Sequence, residues 1–283
     1  MKFRAFSYIL ACADFVIDVS GFFIFQHPNF PFELIFKSKF TFFPLLLQCK
    51  LNIKKVKNMK VIITGTTGMI GESVLLECLK NPIITEVLSV SRKPAGKQHP
   101  KLKEYIVPDF LALKENDENL QGYDACFFCA GVSSAGMSQE QYKLITYDTT
   151  LHFAKILNPN PKMSFIYVSG GGTDSTEKGR MAWARVKGKT ENDLMKLPFK
   201  QAFGFRIGFV KPAEGYQYAL KYYKYIAWLF PFINIVLPNI INTAKEVADA
   251  MIYVSQNGYE NNVIYVKDIH RIAKILDKKV KMK

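Results

Sequence analysis

The residues with the clearest chemical purpose lie in Lys60-Val-Ile-Ile-Thr-Gly65-Thr-Thr-Gly68-Met-Ile-Gly71. A β-branched run ends in three glycines spaced three apart, and an amphipathic run follows. That order suits the pyrophosphate of a dinucleotide. Gly65 permits the turn, Gly68 lets backbone approach the phosphates, and Gly71 lets helix pack close to strand. Thr67, Met69 and Ile70 complete a loop whose amides, at a helix N-terminus, would face the anion. The next chemical group is Arg92-Lys93, at the end of a second apolar run, Glu86–Ser91. An Asp or Glu at that place would accept hydrogen bonds from the adenosine 2′-hydroxyl. Two cations suit a 2′-phosphate instead, so NADP(H) is expected over NAD(H). The competing reading makes Arg92 and Lys93 ordinary solvated loop cations. Asp109-Phe110 stands where the adenine edge is expected, and Ala130-Gly131 would let backbone pass close to the cofactor.

Positioning these groups requires alternating strands and helices, and the chain from Lys60 onward supplies them. Strands are expected at Lys60–Thr64, Glu86–Ser91, Glu104–Val107, Ala125–Cys129, Ser164–Ser169 and Ala202–Gly208. Helices are expected near Ile70–Lys80, Leu111–Leu113, Gln139–Leu157 and Ala182–Lys196. Strict alternation implies an α/β fold, a doubly wound parallel sheet of Rossmann-like form. Thr243 with Glu246 three residues on forms a capping box, with Ala248, Met251 and Ile252 as the apolar face behind it. The tyrosine-rich Tyr216–Tyr225 and the apolar, proline-interrupted Ile226–Pro238 lie between. The expected organisation is a Phe-rich extension over 1–58, a dinucleotide-binding domain over 59–212 and a small C-terminal cap over 213–283.

Composition narrows the partners. The chain has 283 residues, is 49% hydrophobic and carries a formal net charge of +14, so a packed core is expected. The excess charge is spread out, with seven Lys/Arg against two Asp in Lys267–Lys283. A solvated helix face accounts for that tail, and no nucleic-acid-binding signature accompanies it. The cysteines number five, an odd count without a scaffold spacing, which argues for a reducing compartment. A cytoplasmic location is expected. Cys126-Phe-Phe-Cys129 lies in an apolar strand, where positions three apart face opposite ways, so neither a redox nor a zinc role is expected. His27, His99, His152 and His270 lack metal-ligand spacing.

Residues 1–58 hold about half of the phenylalanines. The apolar run before Cys12 is short for a signal peptide, and Asp14 and Asp18 interrupt a membrane span over Phe6–Phe25. The reading adopted is a mis-assigned upstream start, with Met59 as the natural first residue. No membrane span is expected elsewhere, since Pro231 and Pro238 interrupt the other apolar stretch.

These residues resemble the atypical and extended short-chain dehydrogenase/reductases, in particular the NAD(P)H-binding branch of the Tat-interacting oxidoreductase-like proteins. The resemblance rests on Thr64-Gly-Thr-Thr-Gly-Met-Ile-Gly71, Cys129-Ala-Gly131, Tyr167-Val-Ser169, Val186-Lys187-Gly188 and Arg206-Ile-Gly208. It implies that Ser169 orients a substrate hydroxyl or carbonyl and that Lys187 holds the nicotinamide ribose. It also implies a catalytic tyrosine four residues before that lysine, where this chain has Trp183. Indole donates a hydrogen bond but does not ionise usefully, and losing a general acid costs roughly two to four orders of magnitude in rate. Two functions follow. One is an NADP(H)-dependent oxidoreductase or epimerase-like enzyme on a small carbonyl or sugar-like substrate, its proton supplied by Ser169, water or a tyrosine of Tyr216–Tyr225. The other is a noncatalytic NADP(H)-binding module that controls a protein partner. A homo-oligomer is compatible with either.

Overall fold

The computed structural model describes residues 58–211 and 240–281, with three short strand segments nearer the chain start. The chain divides into two units, Met1–Lys55 and Val56–Lys283. In the first, Val16–Ile17, Phe23–Phe25 and Leu34–Phe36 pair antiparallel in that order. The signal, span and start-site expectations otherwise concern residues outside the described ones, as do Tyr216–Tyr225 and Ile226–Pro238.

The second unit is built on a parallel sheet. Its strands are β1 (Met59–Thr64), β2 (Ile84–Ser91), β3 (Leu102–Ile106), β4 (Ala125–Phe128), β5 (Ser164–Val168) and β6 (Gln201–Arg206). Helix α1 (Met69–Lys80) joins β1 to β2. Between β4 and β5 run α2 (Gln139–Lys143), a π-turn (Leu144–Asp148) and α3 (Thr149–Ile156), and α4 (Ala182–Leu194) joins β5 to β6. The short β7 (Phe209–Lys211) and β8 (Ile241–Thr243) pair parallel beside the sheet. Then α5 (Ala244–Asn257), β9 (Val263–Tyr265) and α6 (Val266–Lys281) complete the described chain. The sheet order is β9-β6-β5-β4-β1-β2-β3. The six strands read from the sequence thus take the order 3-2-1-4-5-6, which reverses between β1 and β4, the place where this fold opens a crevice for dinucleotides.

Side-chain alternation explains the two helical layers. Val61 and Ile63 of β1 enter one core with Val74 and Leu75 of α1, Val247 and Met251 of α5, and Ile269 and Ile272 of α6. Ile62 enters the opposite core with Phe128, Phe153 and Phe165. Ring centroids 5.7 Å and 5.9 Å from Phe128 tie Phe153 and Phe165 to it, and each such buried ring stabilises by about 1.5–3 kcal/mol. The same alternation separates the CxxC pair: Cys126 is in the second core and Cys129 packs against the first.

The region expected to form a cap is in its described part built into the body. β9 pairs with β6, placing Ile264 beside Phe205, and α5 shares the core of α1. Its helix begins at the expected capping box: Thr243 Oγ1 accepts from the Glu246 amide at 3.1 Å, and the Glu246 carboxylate accepts from the Thr243 amide at 2.7 Å. On α6, Lys267, Arg271 and Lys274 are exposed while Ile269 and Ile272 are buried, so the described part of the basic tail has a solvated face. Among the described residues no helix is long and apolar enough to cross a membrane.

Candidate functional site

The glycine turn sits at the C-terminal end of β1. Gly65 has φ +70°, and a Cβ there would come within 2.7 Å of the Ala130 backbone at the end of β4. A Cβ on Gly71 would lie 2.1 Å from the Gly65 carbonyl oxygen. Neither position tolerates a side chain unless the backbone moves. The turn closes through the Gly68 amide, which donates to the Gly65 carbonyl at 2.9 Å. Side chains then lock it to the sheet: Thr66 and Ser89 hydroxyls meet at 2.6 Å, and the Ala130 amide donates to Thr64 Oγ1 at 3.1 Å. Gly68 caps α1 without a side-chain hydrogen bond, which leaves the first-turn amides facing outward. Fully buried Glu72 in that turn is paired with Lys97 at 2.9 Å, favourable placement for an anionic side chain at a helix start.

Over this turn opens a cavity of about 470 Å³. Gly65, Thr67, Gly68, Arg92, Asp109, Phe110, Ala130 and Gly131 line it, so eight of the expected cofactor residues from four separate segments come together. Met69, Ile70 and Gly71 belong to the helix start beneath and do not line it. Lys93 does not line it either, contrary to expectation; its carbonyl accepts from the Ser91 hydroxyl at 2.6 Å. Asp109 uses one carboxylate oxygen to cap its own short turn, accepting from the Leu111 amide at 2.9 Å.

Sequence reasoning missed Val132, Leu144, Ile145 and Thr149 in the wall. Three of these come from the π-turn and the residue after it, and such turns inside helices often mark functional sites. One extra residue in the turn changes which side chains point inward, so a regular helical period hides them. Cys129 also lines the cavity, with burial pushing its thiol up to about 12; it is a packing residue at ordinary pH.

The residues expected to do chemistry lie elsewhere. Neither Ser169, Trp183 nor Lys187 lines the cavity. Ser169 is buried and its hydroxyl donates to Glu191 Oε1 at 2.5 Å, with the Phe205 carbonyl at 3.3 Å. That hydroxyl is bonded within the protein, away from the cavity where a substrate-orienting role would place it. The physical reason is the buried carboxylate of Glu191 on α4, which needs donors. The Trp183 ring lies under the glycine loop after β5: a Cβ on Gly172 would come within 2.7 Å of its Cη2. Lys187, one turn further along α4, is half-buried and makes no hydrogen bond among the described residues. Burial lowers its pKa, and the Glu191 charge offsets part of that. Gly188 is required because a Cβ would collide with the Asp174 carbonyl at 1.8 Å.

Known proteins are similar to part of the chain. Residues 61–170 match the model of the NAD dependent epimerase/dehydratase family. Protein fmp52, mitochondrial, of Emericella nidulans is 28% identical over 168 residues, covering 54% of this chain and 71% of that protein. Protein HTATIP2 of Rattus norvegicus is 25% identical over 157 residues, covering 54% and 64% respectively. Over the matched part, the chain is similar to atypical short-chain dehydrogenase/reductases. Among solved structures, UDP-glucuronic acid 4-epimerase from Bacillus cereus, in complex with NAD, is similar in fold, with a TM-score of 0.52 at 13% identity over 78% of this chain and 83% of that one. The glycine turn, the open cavity above it and the bare backbone at Gly131, where a Cβ would meet nothing within 4 Å, fit a pyridine dinucleotide. One expectation is overturned. Fungal relatives are named mitochondrial proteins, which points away from a purely cytoplasmic location.

Proposed function

We propose that the chain binds NADP(H) and that cofactor occupancy, rather than a serine–tyrosine proton relay, is what its site serves, with a protein partner responding to the bound state. The observation that carries this reading is the fate of the two relay positions. The cavity and its glycine turn are intact, whereas the Ser169 hydroxyl is held by Glu191 and Trp183 stands where a tyrosine is needed. Arg92 supports the preference for NADP(H), because it is exposed, lines the cavity and can fork onto a 2′-phosphate.

A second reading, an oxidoreductase or epimerase-like enzyme on a small carbonyl or sugar-like substrate, is favoured by Lys187. When bound, reduced nicotinamide supplies a hydride. A half-buried ammonium with a lowered pKa, and with no hydrogen bond among the described residues, is suited to give a proton. Titration with NADPH, followed by absorbance loss over aldehyde, ketone and quinone panels, tests both readings. Tight binding without turnover is expected. Turnover abolished by Lys187→Ala would replace the first reading with the second, and failure to bind NADPH would defeat both.

A further inference from the structure

We propose that the buried Glu191–Arg206 ion pair holds the Gly170–Gly172 loop against Trp183 and so shapes the nicotinamide end of the site, making Glu191 and Arg206 positioning residues. For its ligand the inference rests on the dinucleotide reading above; its geometry stands apart from it.

The pair is deeply buried, with side chains 6% and 1% exposed for Arg206 and Glu191. Arg206 Nη2 donates to Glu191 Oε2 at 2.6 Å, and Nε reaches both carboxylate oxygens at 3.3 and 3.1 Å. Two charges without water are tolerated only when their remaining donors and acceptors are satisfied. The satisfying groups come from separate elements. Ser169, at the end of β5, donates to Glu191. Tyr265 of β9 accepts from Arg206 Nη1 at 3.1 Å. Ser175, in the loop between β5 and α4, accepts from Arg206 Nη2. Gly204 makes room, since a Cβ there would come within 2.5 Å of the Glu191 carboxyl carbon.

The loop that Ser175 anchors is the one folded over Trp183. Its first part follows β6 through the Ser169 amide to the Phe205 carbonyl at 2.9 Å and the Gly171 amide to the Ile207 carbonyl at 3.1 Å. Its later part returns to α4 through the Asp174 amide, which donates to the Ala184 carbonyl at 3.1 Å. The strands β4 to β6 form the second mononucleotide half of the sheet, whose C-terminal edge receives the second nucleotide. A clasp at the ends of β5, β6 and β9 therefore acts on the nicotinamide end. The adenosine end, at Arg92 and Asp109, lies on the other half.

The test uses the full chain with Trp228→Phe, which leaves Trp183 as the single remaining tryptophan. Replacing both charges, Glu191→Leu with Arg206→Met, removes the clasp without leaving an unpaired buried charge. Acrylamide quenching of Trp183 should at least double in the folded double variant, and unchanged quenching would overturn the proposal. Ser175→Ala removes only the bond from loop to clasp at an exposed position. It should raise quenching in the same direction, and it decides the matter if the double variant does not fold. A ligand arm separates positioning from general loosening. NADPH affinity should fall about tenfold in the double variant while that of 2′,5′-ADP, the adenosine half, stays within about twofold. Equal loss of both would overturn the proposal. If the unaltered chain binds neither ligand, the dinucleotide reading fails, and the quenching arm still judges the clasp.

Discussion

Gly71→Ala is the sharpest single perturbation of the glycine turn. The added methyl would lie 2.1 Å from the Gly65 carbonyl oxygen and 2.5 Å from its carbon. Ordinary contact needs about 3.5 Å, so helix and turn must separate by roughly 1 Å or more. Overpacking of this kind costs about 1–3 kcal/mol. Against it stands the helix preference for Ala over Gly, worth about 1 kcal/mol. The net loss of stability is thus about 0–2 kcal/mol, and the fold survives. Binding is predicted to have no such compensation, because a displaced turn would no longer present the backbone of Gly65, Thr67 and Gly68 to the pyrophosphate. Losing about two charge-assisted hydrogen bonds, each about 1.5–3 kcal/mol, predicts a loss of NADPH affinity of at least about a hundredfold. Thermal melting and calorimetric titration of the same sample separate the two effects. Gly131→Ala is the companion: a Cβ there meets nothing within 4 Å, so melting should not change while the cavity it lines is narrowed. If Gly71→Ala keeps NADPH affinity within about twofold, the phosphate-cradle reasoning is wrong.

Other variants test other parts. Arg92→Glu should weaken NADPH by about ten- to a hundredfold and leave NADH unchanged or improved; equal losses for both would show that Arg92 does not read the 2′-phosphate. Glu191→Leu alone should cost about 3–5 kcal/mol in denaturant unfolding, since it strands a buried guanidinium, and adding Arg206→Met should recover much of that; additive losses would contradict the paired arrangement. Thr243→Ala should cost about 1 kcal/mol at neutral pH by removing the cap of α5. Burial pushes the Glu246 carboxyl up, yet hydrogen bonds from Thr243 and His270 outweigh it and leave its pKa below the usual carboxylate range. A depressed carboxylate stabilises the fold above its unfolded pKa and less as pH falls through the folded one. The penalty of Thr243→Ala should therefore shrink below about pH 4, and a penalty constant down to acid unfolding would refute the coupling.

The parts legible in the sequence were those with a local signal. Glycine spacing, β-branched runs and the Thr243–Glu246 box fix geometry within a few residues, and β1 to β6 all lie within two residues of where pattern placed them. Val263–Tyr265 was missed because three residues show no period and its partner, Gly204–Arg206, is far away in sequence. The pairing of Phe209–Lys211 with Ile241–Thr243 has the same cause. The bond from Ser169 to Glu191 was not foreseen because its neighbours in space were invisible. A signal did exist: Glu191 falls on the buried stripe of α4 with Ala184, Gly188 and Leu194. A carboxylate there demands a buried cation, and Arg206 closes an apolar strand. Chain pattern locates a cavity because cavities in this fold follow topology, whereas a hydroxyl's partners depend on which donor or acceptor reaches it first.

The central proposal is that the cavity prefers a phosphorylated adenosine. Calorimetric titration of the chain with NADPH and with NADH, at one ionic strength, tests that directly. NADPH is predicted to bind at least about tenfold more tightly, the worth of one charge-assisted contact from Arg92. Equal affinities, tighter NADH, or no binding of either would contradict it.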